Sequence, residues 1–250
     1  MASRKQQKEE ARQRRLAEER ARQEREQRTR RMQMGLGGLL AVIVVAVVAV
    51  VIVSGSGGSK ANGTGSPVKA ADTSGVKLPA LKISDLNAAV KAAGCTTLDT
   101  PDSIARTDAN RTHVQPGTKV PYATNPPSFG PHYPVPASDG EYAPSKTPVA
   151  PYVVHALEHG RIDYQYSPSL PAADVKQLEA LFNEGDGQWA PKQMLLLFQN
   201  QTKMPYAVAA TAWGHVLGCK TFNPRVFDAL RDFRLTYTNL GPEQLGTGPE

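Results

Sequence analysis

Hydrophobic and polar positions divide the chain into four stretches of different rhythm. In the first, residues 1–34, the run "KQQKEEARQRRLAEERARQEREQRTRR" has Leu16 as its only large apolar residue. It therefore offers no heptad seam for a coiled coil. Glu10 with Arg14, Glu18 with Arg22, Glu24 with Arg28 and Glu26 with Arg30 are spaced as i,i+4 pairs, so the stretch reads as a solvated cytoplasmic helix. The second, residues 35–53, contains "LGGLLAVIVVAVVAVVIV" from Leu36 to Val53, with no charge and no proline. As a helix it would span roughly 27 Å, close to the hydrocarbon thickness of a bilayer, which predicts a transmembrane anchor. A cleaved signal peptide, the competing reading, has a shorter apolar core ending in a small-residue cleavage site. The third, residues 54–75, is "SGSGGSKANGTGSPVKAADTSG", a flexible linker without apolar period that reaches on the order of 25 Å.

The fourth, residues 76–250, carries the periodicities of a folded domain. "SDLNAAVKAAG" predicts a short helix with Ser84 as N-cap and Gly94 just past its end. "RIDYQY" (Arg161–Tyr166) alternates as a strand, and "QMLLLFQN" (Gln193–Asn200) and "YAVAATAWG" (Tyr206–Gly214) read as buried strands. Between them, "PAADVKQLEALFNEG" puts Val175, Leu178, Leu181 and Phe182 on one helical face. A last helix in "RVFDALRDFRLTY" buries Val226, Phe227, Leu230 and Phe233. Strands and helices mixed without strict alternation predict an α+β fold: one extracytoplasmic domain with a small mixed or antiparallel sheet and flanking helices. Ten of the chain's 20 prolines fall between Pro116 and Pro151. A bare spacer would not need Tyr122, Phe129, His132, Tyr133 and Tyr142 in the same stretch, so an ordered loop stiffened by proline is expected.

Charge changes the picture in one respect. The net charge of +6 resides wholly in residues 1–31, which hold twelve of the 29 basic and six of the 23 acidic residues. The sequence pI of about 9.3 thus describes a tail, and no nucleic-acid partner is implied. Arg28, Arg30 and Arg31 precede the apolar span and Lys60 is the first charge after it. The positive-inside rule then predicts a single-pass protein of the cell membrane with a cytoplasmic N-terminus and the domain outside. Its expected partners are the lipid bilayer and an envelope protein docked on the Pro/aromatic loop. In that oxidising compartment Cys95 and Cys219, the two cysteines, are expected to form a disulfide.

Candidate chemistry centres on "VVHALEHG", Val153–Gly160, which holds His155, Glu158 and His159. On a helical turn His155 and His159 share a face and can bite one ion. His132 and His113, from the segments before, supply a third and a fourth imidazole. Imidazoles suit zinc and copper(II), and a thioether from Met204 in "KMPY" would favour copper(I), so a copper ion is expected before zinc. Glu158 and Tyr133 are expected outside the ligand set, orienting it, with Glu158 alternatively paired to Arg161. His155-Ala-Leu-Glu158-His159 also spells H-x-x-E-H, the pattern of a zinc-dependent hydrolase with Glu158 as general base. Against that, Gly160 and a strand follow at once where a long helix is needed. A nucleophile such as Ser128 lacks a G-x-S-x-G elbow, and no nucleotide-binding glycine fingerprint occurs.

Together, "HV" at His113, "YATNPPSFGPHY" (Tyr122–Tyr133), "VVHALEHG", "MPYAVAATAWG" (Met204–Gly214) and "GPE" (Gly241–Glu243) resemble domain-of-unknown-function family 3105, mostly actinobacterial membrane-anchored proteins. The resemblance covers roughly residues 90–243 and departs from the family pattern at Ser128 and Phe129, where Thr-Ser precedes Gly-Pro-His. It implies that His113, His132, His155, Glu158 and His159 fall on recurrent positions, and it implies no activity. The expectation is a membrane-anchored extracytoplasmic metal-binding protein, with a non-enzymatic interaction module as the alternative.

Overall fold

Strand alternation sets the architecture of the computed structural model, which describes residues 66–68, 71–185 and 188–245. Segment 1–34, the apolar span 35–53 and most of the linker lie outside the described residues. Among the described residues no helix is long and apolar enough to cross a membrane. Strand β3 (Ile162–Tyr166) sends Ile162, Tyr164 and Tyr166 into one core, so Asp163 and Gln165 take the opposite face. Strand β4 (Leu195–Gln199) divides the same way, Leu195 and Leu197 into that core and Leu196 and Phe198 into a second.

Four further strands, β1 (Thr96–Asp99), β2 (Gly140–Glu141), β5 (Val208–Ala212) and β6 (His215–Cys219), complete a six-stranded sheet of order β1-β6-β5-β3-β4-β2. The β3–β4 and β2–β4 pairs are parallel and the others antiparallel, so the sheet is mixed and the fold α+β. Three strands had no legible pattern. β1 is exposed at all four positions, and β2 has only two residues. In β6 Gly218 interrupts the apolar run because the Tyr206 ring lies on the strand, 2.4 Å from where a Cβ would stand.

The first face is covered by α1 (Leu86–Ala93), α4 (Ala172–Phe182) and α5 (Val226–Tyr237), with Leu178, Phe182, Phe227, Leu230 and Phe233 in its core. The N-cap of α1 is Asp85 rather than Ser84: its Oδ1 accepts the Ala88 N–H at 2.8 Å, while Gly94 closes the helix at φ +69°. Cys95, just past α1, is disulfide-bonded to Cys219 at the end of β6. A short α2 (Asp102–Ala105) follows β1. The opposite face is covered by α3 (Ala150–Glu158), by the Pro-rich segment itself through Phe129, Tyr133 and Tyr142, and by Trp213 just after β5. That segment is thus a packed layer. The stretch read as linker joins the domain before its end, since the Val68 N–H donates to Glu141 O at 2.7 Å.

Between sheet and α3 layer sits one fully buried acid. Asp163 Oδ2 accepts from Thr211 Oγ1 and from Gln165 Nε2, while Oδ1 has no partner. Burial pushes the carboxyl up to about 8, against those two hydrogen bonds. A carboxyl raised in the folded state contributes stability that is complete below its unfolded value of about 3.9 and is lost as pH rises towards 8. Asp163→Asn keeps the shape and removes the ionisation. Urea denaturation between about pH 5 and 9 is therefore expected to show the parent losing stability towards alkaline pH and the variant losing less. Parallel pH profiles for the two proteins would refute this assignment.

Candidate metal centre

Helix α3 has three sides. Val153 and Ala156 enter one core and Val154 and Leu157 another, which leaves His155 and Glu158 on the third. The helix ends at Glu158, and His159 is its C-cap. Gly160 then turns the chain at φ +82°, where a Cβ would meet Asn239 Cα at 2.7 Å. Opposite this turn, residues 112–114 run beside His132. The Val114 N–H donates to His132 O at 2.8 Å and the His132 N–H to Thr112 O at 3.1 Å, and this brings His113 against His132. A third segment after α5 crosses the end of α3, with the Glu243 N–H on Glu158 O at 3.0 Å and the Asn239 N–H on Gly160 O at 2.8 Å.

These segments gather four imidazoles. Ring centroids lie 5.0 Å apart for His113–His132, 4.8 Å for His113–His155 and His132–His155, and 4.5 Å for His155–His159. His132, His155 and His159 are buried, whereas His113 is exposed. Donor atoms of His113, His132, His155 and Glu158 all lie within 4.8 Å of one another, as do those of a second group, Glu158, His159 and Glu243.

Proton positions follow from the partners. His132 Nδ1 lies 2.8 Å from Gly130 O, and His155 Nδ1 contacts Tyr133 O. A carbonyl only accepts, so both Nδ1 atoms carry hydrogen and, in the neutral rings, both Nε2 atoms offer lone pairs inward. His132 Nε2 stands 2.9 Å from Glu158 Oε2 without the geometry of a hydrogen bond. A bare lone pair facing a buried carboxylate oxygen at that range is repulsive unless a proton or a cation lies between them. His155 Nε2 is 3.0 Å from His159 Nε2, which lets the His159 N–H donate to it. Anchoring one imidazole nitrogen on a carbonyl to present the other is how proteins orient metal-binding histidines.

The electrostatics disfavour charge on His155 and His113 and favour an ionised Glu158. Burial pushes His155 down to about 3, the Tyr133 carbonyl opposing it and the neighbouring histidines adding to it. Partial desolvation against the neighbouring rings, and then the charge of His132, likewise lower His113. At Glu158 burial works upward, but His132 and Arg111 outweigh it and hold the carboxyl below its ordinary value. Arg111 supplies the fixed cation, its Nε donating to Glu158 Oε1 at 3.0 Å. Glu243, with Oε2 3.6 Å from His159 Nε2, is lowered chiefly by that histidine.

The sequence-predicted residues are distributed as follows. His113, His132 and His155 come together in one group; His159 stands in the second. The Glu158 carboxylate, expected in an outer, orienting role, has an oxygen within reach of the histidines of both groups. Its ionic partner is Arg111, and Arg161 instead pairs with Asp139 at 3.2 Å. Tyr133 acts through its carbonyl on His155, its hydroxyl donating to Thr118 O at 2.9 Å. Met204 is buried in a corner of the Asn200 turn, its N–H donating to Asn200 Oδ1, and the His/Glu groups form without a thioether. The long helix that an H-x-x-E-H hydrolase needs is absent here, because α3 stops at Glu158. Ser128 is buried with its Oγ 3.0 Å from Thr124 Oγ1. His215 pairs with Asp99 at 2.7 Å and stacks on Tyr237, outside both groups. A cavity of about 270 Å³ beside the start of α3 is lined by Pro148, Val153, Phe198 and Asn200 among others, and by none of the histidines.

Two participants escaped sequence reasoning. Glu243 was visible only as part of "GPE", and Arg111 carries no motif. Their positions depend on the chain returning to the end of α3, which no local pattern encodes.

The family model described as Protein of unknown function (DUF3105) matches residues 113–247. That span begins at His113 and runs past Glu243, so it contains every member of both groups. No curated protein and no solved structure matches the chain.

Proposed function

The chain belongs to the DUF3105 family, whose description assigns no activity, and from the geometry of its histidine cluster we propose that it is a membrane-anchored, extracytoplasmic protein that binds a divalent transition metal. One observation carries the metal reading. His132 and His155 are both held by backbone carbonyls so that their Nε2 atoms turn inward, and His132 Nε2 faces Glu158 Oε2 at 2.9 Å, an approach that a proton or a cation must bridge. The anchor rests on the uncharged run Leu36–Val53 and on the basic residues before it.

Three imidazoles and one carboxylate suit zinc(II) and copper(II), with copper(II) ranking above zinc in intrinsic affinity. The case for copper(I) depended on a thioether, and the ligand set does not require one. His113, His132, His155 and Glu158 would hold the ion. Handling of the metal outside the membrane, as buffer or sensor, is the role that an anchored site of this kind supports.

Titrating the chelator-stripped chain with zinc(II) or copper(II) against a competing chelator tests the reading. About one tightly bound ion is expected at neutral pH, and because His155 and His113 resist protonation, affinity is expected to fall only at pH values well below the ordinary imidazole range. Absence of uptake of either metal would leave the cluster with a structural role only.

A further inference from the structure

Glu158 is shared by two groups of donors that otherwise have no member in common: His113, His132 and His155 on one side, His159 and Glu243 on the other. We propose that the cluster holds two divalent cations, an inner one among the three imidazoles and an outer one between His159 and Glu243, with Glu158 as the common ligand. The proposal rests on the metal reading of the inner group and extends it.

Three features support an outer position. Its carboxylate is delivered by a rigid strap. Gly241 packs so tightly that a Cβ there would lie 2.1 Å from Glu158 O, and the Glu243 N–H is bonded to that same oxygen at 3.0 Å. The Glu243 carboxylate, so delivered, stops 3.6 Å from His159 Nε2. That is too far for a hydrogen bond and near the roughly 3.3 Å that separates two ligands of one ion bound at about 2.0–2.1 Å. Finally, the inner ion prepares the outer one. Once His155 Nε2 binds metal, it no longer accepts from His159 Nε2, 3.0 Å away. His159 Nε2 would then be released from that contact. Glu158 provides the kind of bridge that two-metal sites use to hold ions about 3.5–4 Å apart.

Charge sets the order of loading. The inner ion together with the Arg111 guanidinium already exceeds the two carboxylates, so the outer ion is expected to bind more weakly than the inner one.

Equilibrium dialysis of the stripped full-length chain against rising zinc(II), followed by elemental analysis, distinguishes the cases. The parent is expected to pass from one to two ions per chain, and Glu243→Gln to stop at one with its far-UV circular dichroism unchanged. A parent that saturates at one ion overturns the outer position and leaves the inner site standing. No uptake at all removes both. A Glu243→Gln variant that still takes two ions places the second elsewhere and also overturns the proposal.

Discussion

Replacing His132 and His155 together by alanine is expected to weaken metal binding by on the order of 10⁴-fold. Four-ligand sites are worth roughly 10–16 kcal/mol, so each ligand contributes about 3 kcal/mol and two contribute about 6. These two are chosen because each is oriented by a backbone carbonyl, Gly130 O for His132 and Tyr133 O for His155. Competition titration with a chromophoric chelator reads the effect directly. His215→Ala is the matched control, because that ring sits on Asp99 and Tyr237, and its affinity is expected to equal the parent's. Since both histidines are buried, Glu158→Gln serves as a second, nearly isosteric probe. It leaves an amide where the shared carboxylate stood, and it too is expected to lose affinity. A double variant that binds as tightly as the parent would place the metal outside this cluster.

The second large effect concerns the disulfide. Cys95 and Cys219 are 124 residues apart in sequence, so the crosslink removes much of the freedom of the unfolded chain. Its loss in Cys95→Ser/Cys219→Ser is expected to cost about 2–5 kcal/mol in urea denaturation. The bridge fastens the end of α1 to β6, on the face of the sheet opposite α3. Metal affinity measured below the unfolding transition is therefore expected to stay within about threefold of the parent's, a difference of under 1 kcal/mol. Loss of less than 1 kcal/mol of stability would mean that the packing of α1 on α5 holds the same elements without help. Loss of metal binding in the folded variant would mean that the two faces are coupled.

The fold was legible where burial imposes a period. β3, β4, β5, α4 and α5 each bury a continuous face, and "RIDYQY", "QMLLLFQN" and "PAADVKQLEALFNEG" show it. β1 is exposed at every position and pairs only along the edge of the sheet, so its sequence had no reason to alternate. The N-cap of α1 shifted by one residue because Asp85 competes with Ser84 for the same role, and only backbone geometry decides between them. In the site, the spacing His155–Glu158–His159 announced a shared helical side. It could not show that the helix ends at Glu158, nor that His159, as C-cap, faces Glu243 rather than His113. The ionic partner of Glu158, Arg111, lies 47 positions away in the chain, so that pairing left no local signal.

The polar network around Asp163 shows the same limit from another side. Read as sequence, "RIDYQY" alternates polar and apolar residues and suggests a sheet with one wet face. That face is instead covered by α3 and the Pro-rich layer, and Asp163, Gln165 and Thr211 hydrogen-bond one another beneath it through Asp163 Oδ2. A polar residue on a strand identifies the face it occupies, and only the covering layer determines whether that face meets water.

The measurement closest to the central claim is elemental analysis of the untagged full-length chain as isolated, beside His132→Ala/His155→Ala prepared identically. The account predicts close to one or more equivalents of copper or zinc in the parent and none in the variant. A parent that carries no metal, and takes none up when offered copper(II) or zinc(II) at neutral pH, would contradict it.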